Sequence, residues 1–190
     1  MTLKDAKEKV MVALDEVESS DLLQNIEDYE NKMPHIFDSV QRELAMYCKP
    51  IEKWADMTVI DGCVELPTDC YEFKRLYFKN STVSFDVINK KIYTEDGNYK
   101  GFYYAYPSVI DETTEEDYEF EIDLDAQEAM IYGVCAGLCI NDDPEAYDVY
   151  LEKYNTCVVN IENRKNAQAK IRITGGVLLW LLILTEGEEL

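Results

Sequence analysis

Apolar residues recur at three- and four-residue spacings at both ends of the chain and at spacings near two in the middle. Leu3, Ala6, Val10, Ala13, Leu14 and Val17 share one face of a helix predicted over 2–17, with Thr2 as N-cap and Asp5 at the capping-box position. Ser19–Asp21 interrupts it. Leu22, Ile26, Tyr29 and Met33, then Ile36, Phe37, Val40, Leu44 and Tyr47, predict a second helical stretch over 20–48. Pro34 either starts a new helix inside that stretch or kinks one long helix. Lys49-Pro50 ends it, because a residue before proline avoids helical dihedrals.

Between about 55 and 107 the pattern is that of strands. Met57–Ile60 and Cys63–Leu66 flank Asp61-Gly62, a favoured hairpin turn. Phe73–Phe78, Val83–Val87, Lys91–Tyr93 and Tyr99–Tyr106 follow, separated by turn residues. Five to six short strands predict a small antiparallel sheet or sandwich. Helical spacing returns over 124–141, where Ala126, Ala129, Gly133 and Gly137 permit close helix packing. Asn141–Pro144 stops that helix and caps another over 144–164, with Tyr147, Tyr150, Leu151, Tyr154, Val158 and Ile161 on one face. Lys170–Thr174 reads as a strand, Gly175-Gly176 as a break, and Val177–Leu184 as an apolar end. The expected fold is α+β and mainly α: a helical bundle with an internal small antiparallel β insert and an extended C-terminal strand or arm. One domain spans 1–169, and a docking arm spans 170–190.

Charge narrows the possible partners. The 190 residues carry 18 Lys+Arg and 39 Asp+Glu, a net charge of -21, with 47% hydrophobic residues. That apolar fraction is too high for a disordered acidic tail. Residues 111–150 hold 14 acids and no base, whereas 151–190 hold 5 of each. Such a chain lacks the clustered bases that neutralise phosphates or bind an anionic membrane surface. Val177–Leu184 is eight residues, short of the roughly 20 that span a bilayer. It needs a partner, either its own core or another subunit. No membrane association is expected.

Catalytic and metal chemistry find little footing. Met1–Val17 has no apolar run of the signal-peptide kind, so a reducing cytoplasm is the expected site of synthesis. Six cysteines and one histidine, His35, form no paired zinc spacing, and Cys135 and Cys139 are expected in the core. Phosphate-loop, dinucleotide, zinc-protease and nucleophile-elbow patterns are missing. Acids are so abundant that no catalytic pair stands out, and Asp111–Asp125 lacks the central glycine of a calcium loop. The stretch Tyr99–Tyr106 has the rings to stack bases, but only Lys100 accompanies them, which favours packing or an interface. No catalytic residue, cofactor or metal ligand is assigned.

Three stretches in order carry a resemblance: MPHIFDSVQRELA from Met33 to Ala45, ELPTDCYEFKRL from Glu65 to Leu76, and YYAYP from Tyr103 to Pro107, followed by YEFEID from Tyr118 to Asp123 and an apolar helix. The chain resembles the head-to-tail connector (adaptor, or head-completion) proteins of tailed bacteriophages over about residues 3–176. The resemblance implies a non-enzymatic virion protein of the neck. It would form a homo-oligomeric ring of about twelve copies, made in the bacterial host cytoplasm, that joins the portal protein to a tail or stopper protein. The apolar C-terminus departs from the short polar tails of that group. On this reading Ile171, Ile173, Val177, Leu179, Trp180 and Leu182 form the arm's interface. Glu112, Glu115, Glu116 and Asp117 face the channel or its rim, where DNA passes without sequence-specific binding. The competing expectation is a small acidic DNA-mimic or inhibitor from a mobile element.

Overall fold

A computed structural model describes the backbone of residues 1–15 and 26–185 and the side chains of residues 1–14 and 29–164. The predicted helix ends at 16–17 and 20–25 lie outside the described residues. Helix α1 (Leu3–Asp15) begins at the expected capping box: the Asp5 amide donates to Thr2 Oγ1 at 3.2 Å and the Thr2 amide to Asp5 Oδ2 at 3.1 Å. Leu3, Ala6 and Val10 are fully buried. Helix α2 (Ile26–Glu43) keeps Pro34 inside a continuous helix and buries Met33 and Phe37. One π-helical turn, Leu44–Cys48, follows, and the chain becomes extended beyond Pro50.

Seven strands then form two antiparallel sheets. They are β1 (Ile51–Val59), β2 (Cys63–Glu65), β3 (Cys70–Phe78), β4 (Ser81–Val83), β5 (Asp86–Ile88), β6 (Lys91–Tyr93) and β7 (Gly97–Ala105). The larger sheet has the order β1-β7-β3-β4, and the smaller β2-β6-β5. β1 and β7 pair over their full lengths, from Ile51 opposite Ala105 to Val59 opposite Gly97. The two sheets enclose a core of their own, with Met57, Val59, Leu76, Ile92 and Tyr99 buried.

This corrects the expectation of a helical bundle with a small insert. The fold is a sheet-rich α+β structure. β1, β3 and β7 are nine residues each, and β1 starts six residues before the predicted Met57. Its first half alternates Ile51, Lys53 and Ala55 against exposed Glu52, Trp54 and Asp56, so the half-buried positions are not all apolar. Val83–Val87, expected as one strand, is two. Three tight reversals have positive φ, at Asp61 and Gly62, Lys79 and Asn80, and Asn89 and Lys90. The last two close the β3–β4 and β5–β6 hairpins. The first, expected to close a hairpin, passes from β1 of the larger sheet to β2 of the smaller with a single bridge between Ile60 and Cys63. Such paired left-handed residues match the twist of flanking strands. Asp61-Gly62 advertises its turn, whereas lysine at two of the other positions conceals theirs.

Helices α3 (Leu124–Cys139) and α4 (Pro144–Thr185) form an antiparallel hairpin. Asp143 caps α4, its Oδ1 accepting from the amides of Glu145 and Ala146 at 3.1 and 3.0 Å. α3 packs closely against α2 because Gly133 and Gly137 lack side chains. A Cβ at Gly137 would lie 2.8 Å from Ile36 Cγ2, and one at Gly133 would lie 2.9 Å from Val40 Cγ1. Gly137→Leu therefore forces the two helices apart and costs about 1–3 kcal/mol. Chemical denaturation checks this, and an unchanged midpoint would show the contact to be loose.

The extended C-terminal strand is also corrected: α4 runs through Lys170–Thr174, Gly175-Gly176 and on to Thr185. The alternation of Ile171 and Ile173 mimics a strand, but no proline stops the helix after Pro144. α4 is 42 residues, a length of ~63 Å, against 16 residues and ~24 Å for α3. Arg164 Nη1 donates to Asp125 Oδ2 at 2.9 Å, so α4 draws level with the start of α3 near residue 164 and continues for some 21 residues past it. Among the described residues no helix is long and apolar enough to cross a membrane.

Candidate functional site

The acidic segment between β7 and α3 is a strap laid across the start of α1 and the second half of α2. Leu3 N donates to the Tyr118 carbonyl at 2.8 Å and Lys4 N to the Glu116 carbonyl at 3.0 Å. Ile110 N donates to Asp38 Oδ1 at 3.0 Å, and Gln41 Nε2 to the Ser108 carbonyl at 3.3 Å. Ile110, Phe120 and Ile122 point inward and are buried. The alternation leaves the acids outside. Glu112, Glu115, Glu116 and Asp117 are all exposed. Glu112 lies 3.5 Å from His35 Nε2, and Glu116 lies 3.6 Å from Lys7 Nζ. Asp111 organises the tip: its Oδ1 accepts from the Thr113 hydroxyl and amide, which holds its carboxyl below the usual range. The four acids thus form a solvated row on a backbone fixed at both ends.

One buried-edge network joins strap to sheet. Lys53 Nζ reaches Asp69 Oδ2 and Glu121 Oε2, both at 3.1 Å. The Ser108 hydroxyl and amide donate to Glu121 Oε1, and the Tyr103 hydroxyl donates to Asp69 Oδ1. Burial pushes the Glu121 carboxyl up, but the Ser108 donors and Lys53 outweigh it, and the net shift is downward. A carboxylate depressed by folding stabilises the fold above its unfolded value of 4.5 and loses that contribution as pH falls through the folded value. Glu121→Gln is expected to cost about 1 kcal/mol at pH 7, and the gap from wild type should close in acid. Urea unfolding at pH 7 and at pH 3.5 would measure it; a gap that widens in acid would contradict the assignment.

The second feature is the outer face of the larger sheet. Trp54 on β1 is 58% exposed although its strand is paired with β7 throughout. Its ring lies 5.0 Å from Phe102 and 5.5 Å from Tyr77. Phe102 contacts Tyr104, and Tyr71 contacts both Tyr104 and Tyr106. Four bases lie on this face: Lys74 over Tyr104 and paired with Glu72, Arg75 donating to the Tyr77 hydroxyl, Lys100 paired with Asp56, and Lys79 in the cleft beside Trp54. An open cleft of about 890 Å³ runs beside Trp54, Tyr77 and Asn98. In a chain of net charge -21, a ring-rich face with four bases is an adhesive surface, because large aromatic area carries interface energy.

Cys135 and Cys139 are buried and unbridged, as expected. Burial pushes their thiols up to about 12 and about 11, which leaves them protonated and poor nucleophiles at neutral pH. Among the described residues no group of His, Cys, Asp and Glu is placed to hold a metal. Ile171, Ile173, Val177, Leu179, Trp180 and Leu182 lie on the α4 backbone, with side chains outside the described residues. Trp54, Tyr77 and Arg75 were not singled out from sequence. The available signal was the strand alternation that places Trp54 among Glu52, Asp56 and Thr58, on the polar face. No protein-family model matches the chain, and no curated protein matches it.

Proposed function

We propose that the chain is a non-enzymatic assembly protein of a bacteriophage neck, a ring subunit between portal and tail. The observation that carries this reading is the exposed aromatic face around Trp54, on a strand paired with β7 along its whole length. A ring of identical subunits needs two different adhesive surfaces on each chain. The length of α4 beyond α3 supplies one of them, and the aromatic face is a further surface that turns toward portal or tail. The strap adds a solvated acidic row that repels DNA phosphates and so suits the wall or rim of a conduit. The motif order from Met33 to Asp123 supports the same reading. The virion neck is then its place of action, after synthesis in the bacterial cytoplasm.

The test is co-purification of the full chain with portal and tail proteins expressed together, followed by electron microscopy. Rings on the portal vertex are the expected result. Trp54→Ser should abolish capture by the portal or tail protein and leave the circular dichroism spectrum unchanged. A full chain that neither binds portal nor forms rings in its presence would overturn the reading.

A further inference from the structure

The groove between α1 and α3 has an apolar floor and an acidic rim, and no described residue covers it. Val12 is 62% exposed and Leu124 77% exposed, with Ile131 and Tyr132 between them in a groove of about 870 Å³. Asp5, Glu8 and Glu128 edge it, against a single base, Lys9. Gln127 lines it too: its Nε2 donates to the carbonyls of Phe120 and Ile122, while its buried Oε1 has no donor among the described residues.

Residues 165–185 of α4 have the complementary composition. They contain three bases, Lys165, Lys170 and Arg172, no acid, and the apolar run Val177–Leu184. Their backbone is helical and lies past the end of α3. We propose that the α1–α3 groove of one copy receives residues 165–185 of a second copy of this chain. This rests on the assembly reading and names the contact within it. An apolar helix in an apolar groove supplies the affinity. The basic residues against Asp5, Glu8 and Glu128 supply orientation and let two chains of charge -21 approach. The aromatic sheet face is the poorer receiver, since it already carries four bases. Docking into the chain's own groove would require the continuous α4 helix to break and turn back. The contact is therefore head-to-tail between copies, a geometry that closes into a ring when the rotation permits.

A photo-crosslinking residue at Leu124 in the full chain tests this, with isotope-labelled and unlabelled chains mixed before irradiation. Crosslinks joining a heavy to a light chain, mapping to residues 165–185, are expected. Glu8→Lys with Glu128→Lys should lower the crosslink yield about tenfold at low salt. Lys170→Glu with Arg172→Glu in the same chain should restore it. Crosslinks within one chain only, crosslinks to other segments, or none at all would overturn the proposal. Portal co-purification separates the two ideas: rings with crosslinks elsewhere defeat the groove contact alone, whereas heavy–light crosslinks without portal binding defeat the neck assignment.

Discussion

Phe37→Ala is expected to destabilise the protein by about 3–5 kcal/mol and to release the acidic strap. Phe37 is fully buried at the middle of α2, and its ring lies 5.5 Å from that of Phe120. Phe120 in turn contacts Tyr118, whose hydroxyl is within hydrogen-bonding range of Gln41. Truncation therefore opens a cavity where α2, the strap and the helical core meet. The surroundings cannot collapse freely: Ile36 is held against Gly137, and Asp38 is held by Ile110 N and Arg42. For a chain of this size, that loss lowers the thermal midpoint by about 6–20 °C. Amide exchange should report faster opening at Leu3, Lys4 and Ile110, the amides that tie the strap down. A full-sized loss of stability with unchanged exchange at those amides would show that the strap is held independently of Phe37.

The helices were legible where burial follows the 3.6-residue period. Leu3, Ala6 and Val10 on α1, and Ala126, Ala129, Met130 and Val134 on α3, are buried as their spacing implies. Local signals with a direct mechanism also succeeded: the Thr2–Asp5 box, the Asp143 cap before Pro144, and the Asp61-Gly62 turn. The balance of helix and sheet was not legible. A half-buried strand tolerates Lys53 because Glu121 of the strap and Asp69 pair with it, so charge masks the alternation. Three-residue strands such as β5, exposed at every position, carry no pattern to read. The adhesive face has no sequence pattern for a related reason. Trp54, Tyr77 and Phe102 become neighbours only through the β1-β7-β3 order, which joins segments over twenty residues apart. The acidic strap was the reverse case. Its charge was visible at once, but its hold on α1 rests on backbone donors, which have no sequence signature.

Leu76→Ala is expected to cost about 2–5 kcal/mol and to act on the other half of the molecule. Leu76 is fully buried on β3, opposite Gly101 of β7 and Val83 of β4. It is one of five buried residues in the core between the sheets, a small core of which one large side chain is a large fraction. Gly101 offers no relief, because a side chain there would already meet Phe73 and Met57 at 2.8 Å. The two cores are joined at one end, through Ile51 and the Lys53 network with Asp69 and Glu121. A joint of partly exposed ion pairs transmits little stabilising free energy. Leu76→Ala should therefore accelerate amide exchange in β1, β3 and β7 while leaving α3 and the start of α4 protected, and Phe37→Ala should do the opposite. Equal acceleration across both halves in either variant would mean that sheets and helices unfold as one unit. Separable halves would also explain how an assembly subunit can anchor through its sheet face while its helical layer adjusts to a neighbour, since each surface then stands on a core of its own.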